Sequence, residues 1–230
     1  MCRKEQVDEG EITISYNIPT TGSEIEDFIR AVAEIERQMK SARMYCEEEE
    51  REYTLEELVE NQARMEAFSL RRLNEFCQRQ DYAAYIFTLV MWPVFLTDED
   101  VKRFAVCDKL EEFEEYVHEK QAMDVYYAKP RLLRNSQNNK IGAFYVLTEE
   151  CESVFPVSAD EFINQDGIQI DEGFIQFYIY SEDRMVDGLF DYEKFMKYLL
   201  EHGVEYFDAS HVLVPSLTKD VINEMVRAIE

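Results

Sequence analysis

The chain has 230 residues, 46% of them hydrophobic and 13% aromatic, enough to build a substantial core in one large domain or two small ones. Its 49 acidic and 24 basic residues leave a net charge of −25, against a norm of about 2–8 for small domains. That excess argues against nucleic acid as a direct ligand, because a backbone binder needs cations to displace counterions, and against anionic membranes for the same reason.

The natural complement of such a surface is a basic protein. The competing reading is acid that serves solubility alone. The five cysteines, Cys2, Cys46, Cys77, Cys107 and Cys151, are odd in number, widely spaced and form no C-x-x-C. They predict free thiols and a cytoplasmic protein. The opening MCRKEQVDEGE has no apolar h-region. The longest apolar run, Tyr82–Leu96, is broken by Thr88 and Pro93 and is shorter than the roughly 20 residues of a membrane helix.

In chain order, Ile12, Ile14, Tyr16 and Ile18 alternate, predicting a half-buried strand over Glu11–Ile18 that Pro19 ends. Ser23 with Glu26 reads as a capping box. The helix behind it carries Ile25, Phe28, Val32, Ile35, Met39 and Ala42 at heptad spacing. This seam packs within the chain or, alternatively, forms a homodimer through Ile25–Ala42. The acids Glu47–Glu50 predict a break. Thr54 and Glu57 form a second capping box for a helix reaching about Gln80, giving an antiparallel helical hairpin or, alternatively, one continuous long helix.

Tyr82–Leu96 reads as a buried helix through Val90 followed by an extended piece, with Trp92 in the core. Thr97 with Asp100 starts another helix, and Leu110, Phe113 and Val117 mark a further one. Lys129, Arg131, Arg134 and Lys140 lie in a stretch with no acid between Asp124 and Glu149. Ser136–Lys140 there is a hairpin loop or a linker. The run Phe174–Tyr180 predicts a buried strand. Asp191 caps a helix that ends at Gly203, Val204–Phe207 and His211–Val214 are short strands, and Thr218 caps a last helix with Ile222, Met225, Val226 and Ile229 inward.

The fold class expected is α+β. An N-terminal strand and a helical, hairpin-like region over residues 1–128 precede a small acidic α+β region with a mostly antiparallel sheet over 129–230. A single domain is the alternative.

The motifs of common chemistry are missing from the sequence. The seven glycines form no phosphate loop, no Cys or His pair has zinc-ligand spacing, and no G-x-S-x-G occurs. Ser210 and His211 are adjacent in sequence and so point to opposite sides of a strand. Asp166, Gly167, Asp171 and Glu172 lack the full order of a calcium loop. A non-enzymatic protein with no cofactor and no metal is therefore expected.

The charge is uneven along the chain. Residues 1–140 carry net −11 and residues 141–230 net −14, with ten acids and no Lys or Arg between Ile141 and Asp183. The expected contact residues are the four acidic pairs Glu149 and Glu150, Asp160 and Glu161, Asp171 and Glu172, Glu182 and Asp183. The expected function is an acidic inhibitor or immunity-type protein. It would bind a basic nuclease or other nucleic-acid-binding protein by mimicking phosphate charge, as a DNA mimic of anti-CRISPR, anti-restriction or toxin-immunity type does. The alternative is a scaffold or oligomerisation module built on the helical seam.

Overall fold

The computed structural model describes residues 12–39, 44–46, 49–80, 85–89, 91–159 and 168–230, and the backbone alone of 6–8 and 11. The fold is α+β, and the chain divides into two compact units, Met1–Ala122 and Met123–Glu230.

The first unit opens with a short antiparallel pair, β1 (Gln6–Asp8) and β2 (Glu11–Thr13), so the predicted strand stops well before Ile18. Helix α1 (Gly22–Met39) follows the cis Ile18–Pro19 peptide. Its cap is Thr21, whose hydroxyl accepts the Glu24 N–H at 3.2 Å. The Ser23 hydroxyl donates instead to Glu114, which corrects the Ser23–Glu26 box. Ile25, Ile29 and Val32 are buried, whereas Met39 is 40% exposed. The seam is thus an internal face in its first half that surfaces towards its end; Ala42 lies outside the described residues.

Strands β3 (Met44–Cys46) and β4 (Arg51–Tyr53) pair antiparallel around the acidic break. Helix α2 (Leu55–Gln78) starts with the predicted reciprocal box between Thr54 and Glu57. Where a buried helix was expected after it, β5 (Ile86–Phe87) pairs antiparallel with β6 (Val94–Phe95). Aromatic and β-branched residues around Pro93 favour that extended backbone, and Trp92 is buried. Helix α3 (Asp98–Phe104) has the Thr97–Asp100 box, and α4 (Leu110–Gln121) follows. Leu73, Phe87, Phe104 and Phe113 close the core, with Phe87 and Phe113 ring centroids 4.9 Å apart. Ser69 of α2 fixes the entry to α1: its hydroxyl donates to the Thr20 carbonyl at 2.6 Å and accepts the Thr20 N–H at 2.7 Å.

The second unit contains two sheets. Its strands are β7 (Tyr126–Tyr127), β8 (Arg131–Arg134), β9 (Ile141–Thr148), β10 (Ser153–Pro156), β11 (Glu172–Ile179), β12 (Arg184–Met185), β13 (Phe190–Asp191), β14 (Glu205–Tyr206) and β15 (His211–Val214). One sheet has the order β12-β11-β9-β8, with β13 also on β11, and the other the order β14-β15-β10-β7. Most pairings are antiparallel, but the long central pair β9 and β11 runs parallel, with Ile175 opposite Tyr145. Strand β11 includes the predicted aromatic run up to Ile179; Tyr180 begins a 3-10 turn. Strands β8 and β9 form the hairpin alternative for the basic stretch.

Helix α5 (Tyr192–Glu201) is capped by Asp191, which accepts the Lys194 N–H at 2.9 Å, and is followed by Gly203 at φ +77°. Helix α6 (Lys219–Ile229) buries Ile222, Met225, Val226 and Ile229. Both helices contribute to one core with Tyr145, Leu147, Phe155, Ile175, Phe177 and Phe195. Gly173 is required there, since a Cβ would lie 2.4 Å from that of Ala159.

Candidate functional site

Strand direction decides which acids meet. Because β9 and β11 are parallel, their C-terminal ends lie together. Glu149 and Glu150 follow β9, and Glu182 and Asp183 follow β11. Asp171 and Glu172 sit at the opposite end, the eight-residue β11, roughly 25 Å of extended chain, beginning at Glu172. The structure therefore gathers two of the pairs and sets a third apart. Asp160 and Glu161 lie outside the described residues.

Most of these carboxylates are already engaged. Glu149 is only 6% exposed, and its two oxygens accept the main-chain N–H groups of Ser181 at 2.8 Å and Lys219 at 3.2 Å. Those bonds, that of Ser181 foremost, hold its carboxyl below the usual carboxylate range. Glu149 is thus a structural residue that does the capping expected of Thr218, whose side chain makes no cap bond. Its place on a contact surface is corrected, because a carboxylate this buried is out of a partner's reach.

Glu182 bridges Lys219 and Arg184, and these cations, Lys219 first, lower its carboxyl as well. Asp183, at φ +47°, accepts the Tyr178 hydroxyl, which pushes that phenol up. At the other end, the Asp171 carboxylate accepts the Ile141 N–H at 2.8 Å, and Glu172 pairs with Lys140 at 2.6 Å. Glu150 is exposed at φ +58°, and among the described residues its side chain alone of these six makes no hydrogen bond or ion pair.

Counted by compact unit, the charge is shared. Residues 1–122 carry 29 acids and 15 bases, net −14, and residues 123–230 carry 20 acids and 9 bases, net −11. The bases of β8 and its loop belong to the same sheet as the acids that flank β9 and β11.

Residues 6–225 match the family described as Domain of unknown function (DUF4299). The chain belongs to this family. No curated protein and no solved structure matches it. The family match spans both units, so the pair of units is what DUF4299 describes.

One constellation escaped the sequence reading. His211, fully buried on β15, has Nδ1 2.9 Å from Asp208 Oδ1 and Nε2 2.8 Å from the Tyr127 hydroxyl. The carboxylate accepts from the Nδ1–H, and Nε2 and the Tyr127 hydroxyl share the second bond of the chain. The Ser210 N–H also donates to Asp208 Oδ1, at 2.9 Å, closing a turn. All three side chains are buried, so the chain of bonds ties β7 to the turn before β15. Asp-x-x-His was visible in the sequence; Tyr127, 84 residues away, was not. Among the described residues no group of three or more His, Cys, Asp or Glu is placed to hold a metal ion, and no helix is long and apolar enough to cross a membrane.

Proposed function

We propose that this DUF4299 protein is a non-enzymatic binding protein, an inhibitor or immunity-type factor, whose carboxylates engage a basic surface on a cytoplasmic protein that handles nucleic acid. One observation carries the reading: each compact unit separately bears a negative charge, −14 and −11, beyond the norm of about 2–8 for a small domain. Opposite fields speed encounter, and carboxylates take positions that phosphates otherwise occupy. At the shared end of β9 and β11, Glu182 and Asp183 are held in place by Lys219, Arg184 and Tyr178, while Glu150 is exposed beside them. Pre-set carboxylates lose little side-chain freedom on binding.

The test is affinity capture from the native host, followed by kinetics with the captured partner. The variant Glu150→Gln, Glu152→Gln, Asp187→Asn removes three exposed charges and leaves the ion-paired and capping acids intact. It is expected to associate more slowly, with a flatter salt dependence and an unchanged melting temperature. Binding that ignores salt, or a captured partner with no basic surface, overturns the proposal. Binding that survives neutralisation but is lost when Met39 and Ile35 are made polar favours the scaffold alternative.

A further inference from the structure

Strand β8 ends its sheet: among the described residues it pairs with β9 and with no other strand. Arg131, Leu132, Leu133 and Arg134 are all exposed, Leu133 by 57%. The hairpin register says which backbone groups point outward. Asn135 N–H bonds the Lys140 carbonyl at 2.8 Å, closing the loop, and the Ile141 carbonyl accepts the N–H of Asp171, just before β11, at 2.9 Å. Alternation along an antiparallel pair then turns Leu133 and Arg131 towards β9, and Leu132 and Arg134 away from it. The Leu132 and Arg134 N–H and C=O groups thus form a short open ladder. Pro130 stands at the next outward position and has no N–H to offer, which sets its limit.

Cations on an edge usually keep other strands off. They repel a strand that carries cations and attract one that carries acids, and Leu132 and Leu133 stand exposed between them. A second copy of β8 is a poor occupant, because it brings a second set of the same cations to a cationic edge, and two chains of net charge −25 repel each other. Lys129 and Arg131 are exposed and have no ion partner among the described residues, whereas Lys140 is held by Glu172.

We infer that the β8 edge is a strand-addition site for an extended acidic segment of a partner protein, with the order acid, apolar, apolar, acid. The occupant's acids lie opposite Arg131 and Arg134 and its apolar residues opposite Leu132 and Leu133. Because this pattern reads the same in both directions, the side chains match in either strand orientation, and the main-chain ladder fixes which one forms.

The probe is a short labelled peptide with Glu-Val-Val-Glu at its centre. Binding to the full chain is expected to slow hydrogen exchange at the Leu132 and Arg134 amides, and not at those of Arg131 and Leu133, which already face β9. A peptide with Pro for the central Val-Val is expected to lose binding. Arg131→Glu with Arg134→Glu is expected to weaken the acidic peptide at least about tenfold and to bind the Lys-Val-Val-Lys peptide instead; this exchange of preference separates a charge effect from misfolding. The inference is overturned by no saturable binding up to about 1 mM peptide, by protection elsewhere only, or by equal binding of the Pro peptide. It is equally overturned by an oligothymidylate that outcompetes the peptide, which marks a polyanion site, or by a dimer whose contact is β8.

Discussion

Glu149 and Lys219 lie 70 residues apart in sequence, yet the Glu149 carboxylate accepts the Lys219 main-chain N–H at 3.2 Å, at the first turn of α6. A negative group there meets the positive end of the helix dipole and one of its unbonded donors. The carboxyl is held below its ordinary value, so its contribution to stability is present above that value and is lost as pH falls through the depressed one. Glu149→Gln is expected to lower the melting temperature at neutral pH, and its deficit against the parent to shrink at about pH 3. A deficit that stays constant between the two pH values refutes the charged cap.

The buried His211 gives a second test. Tyr127→Phe keeps the ring against Phe207 and removes the hydroxyl that is hydrogen-bonded to Nε2. Loss of a partner to a buried polar atom costs about 1–3 kcal/mol. Urea unfolding is expected to show that loss, with Asp208→Asn also destabilising; an unperturbed midpoint for both variants means that the bonds hold nothing together.

Along α1, the same substitution chemistry should give opposite outcomes at two seam positions. Val32 is buried against the helical core, so Val32→Asp places an unpaired charge in apolar surroundings and is expected to cost several kcal/mol. Met39 is exposed, and Met39→Gln is expected to change stability by no more than about 0.5 kcal/mol. Denaturant titration of both variants measures the contrast, and a large loss at Met39 reveals an interface there.

The cysteines separate by burial. Cys46, Cys77, Cys107 and Cys151 are free thiols. Burial, and then the neighbouring Cys107, push the Cys77 thiol up to about 12, and burial raises Cys107 too. Alkylation of the native protein is expected to label the half-buried Cys46 and Cys151 first and to reach Cys77 and Cys107 only on unfolding, because the thiolate is the reactive form. A reducing agent is expected to leave the melting temperature unchanged. Mass spectrometry that finds Cys77 labelled at the rate of Cys151 contradicts the packing around α2.

Local chemistry made much of the fold readable. The Thr54–Glu57 and Thr97–Asp100 boxes, the Asp191 cap and the inward stripe of α6 are short-range patterns, and they stand where the residues place them. The misreadings have a common cause. The segment around Ile86–Phe95 is apolar throughout, so periodicity could not tell helix from strand, and packing of Phe87 on Phe113 accompanies the extended form. At α1, Ser23 looked like a cap until Glu114, from a helix 91 residues on, took its hydroxyl.

The sequence by itself determined composition, charge and the elements whose signals lie within a few residues, because capping, turn chemistry and hydrophobic period act over one or two turns. Which acids are free was decided only in three dimensions. Parallel pairing of β9 with β11 set Glu149 and Glu150 at the same end of the sheet as Glu182 and Asp183 and away from Asp171 and Glu172, and long-range contacts gave Glu149 to α6 and Lys140 to Glu172. A carboxylate's sequence neighbours fix its charge density; its partners are fixed by strand direction and register, which bring together residues that the chain keeps far apart.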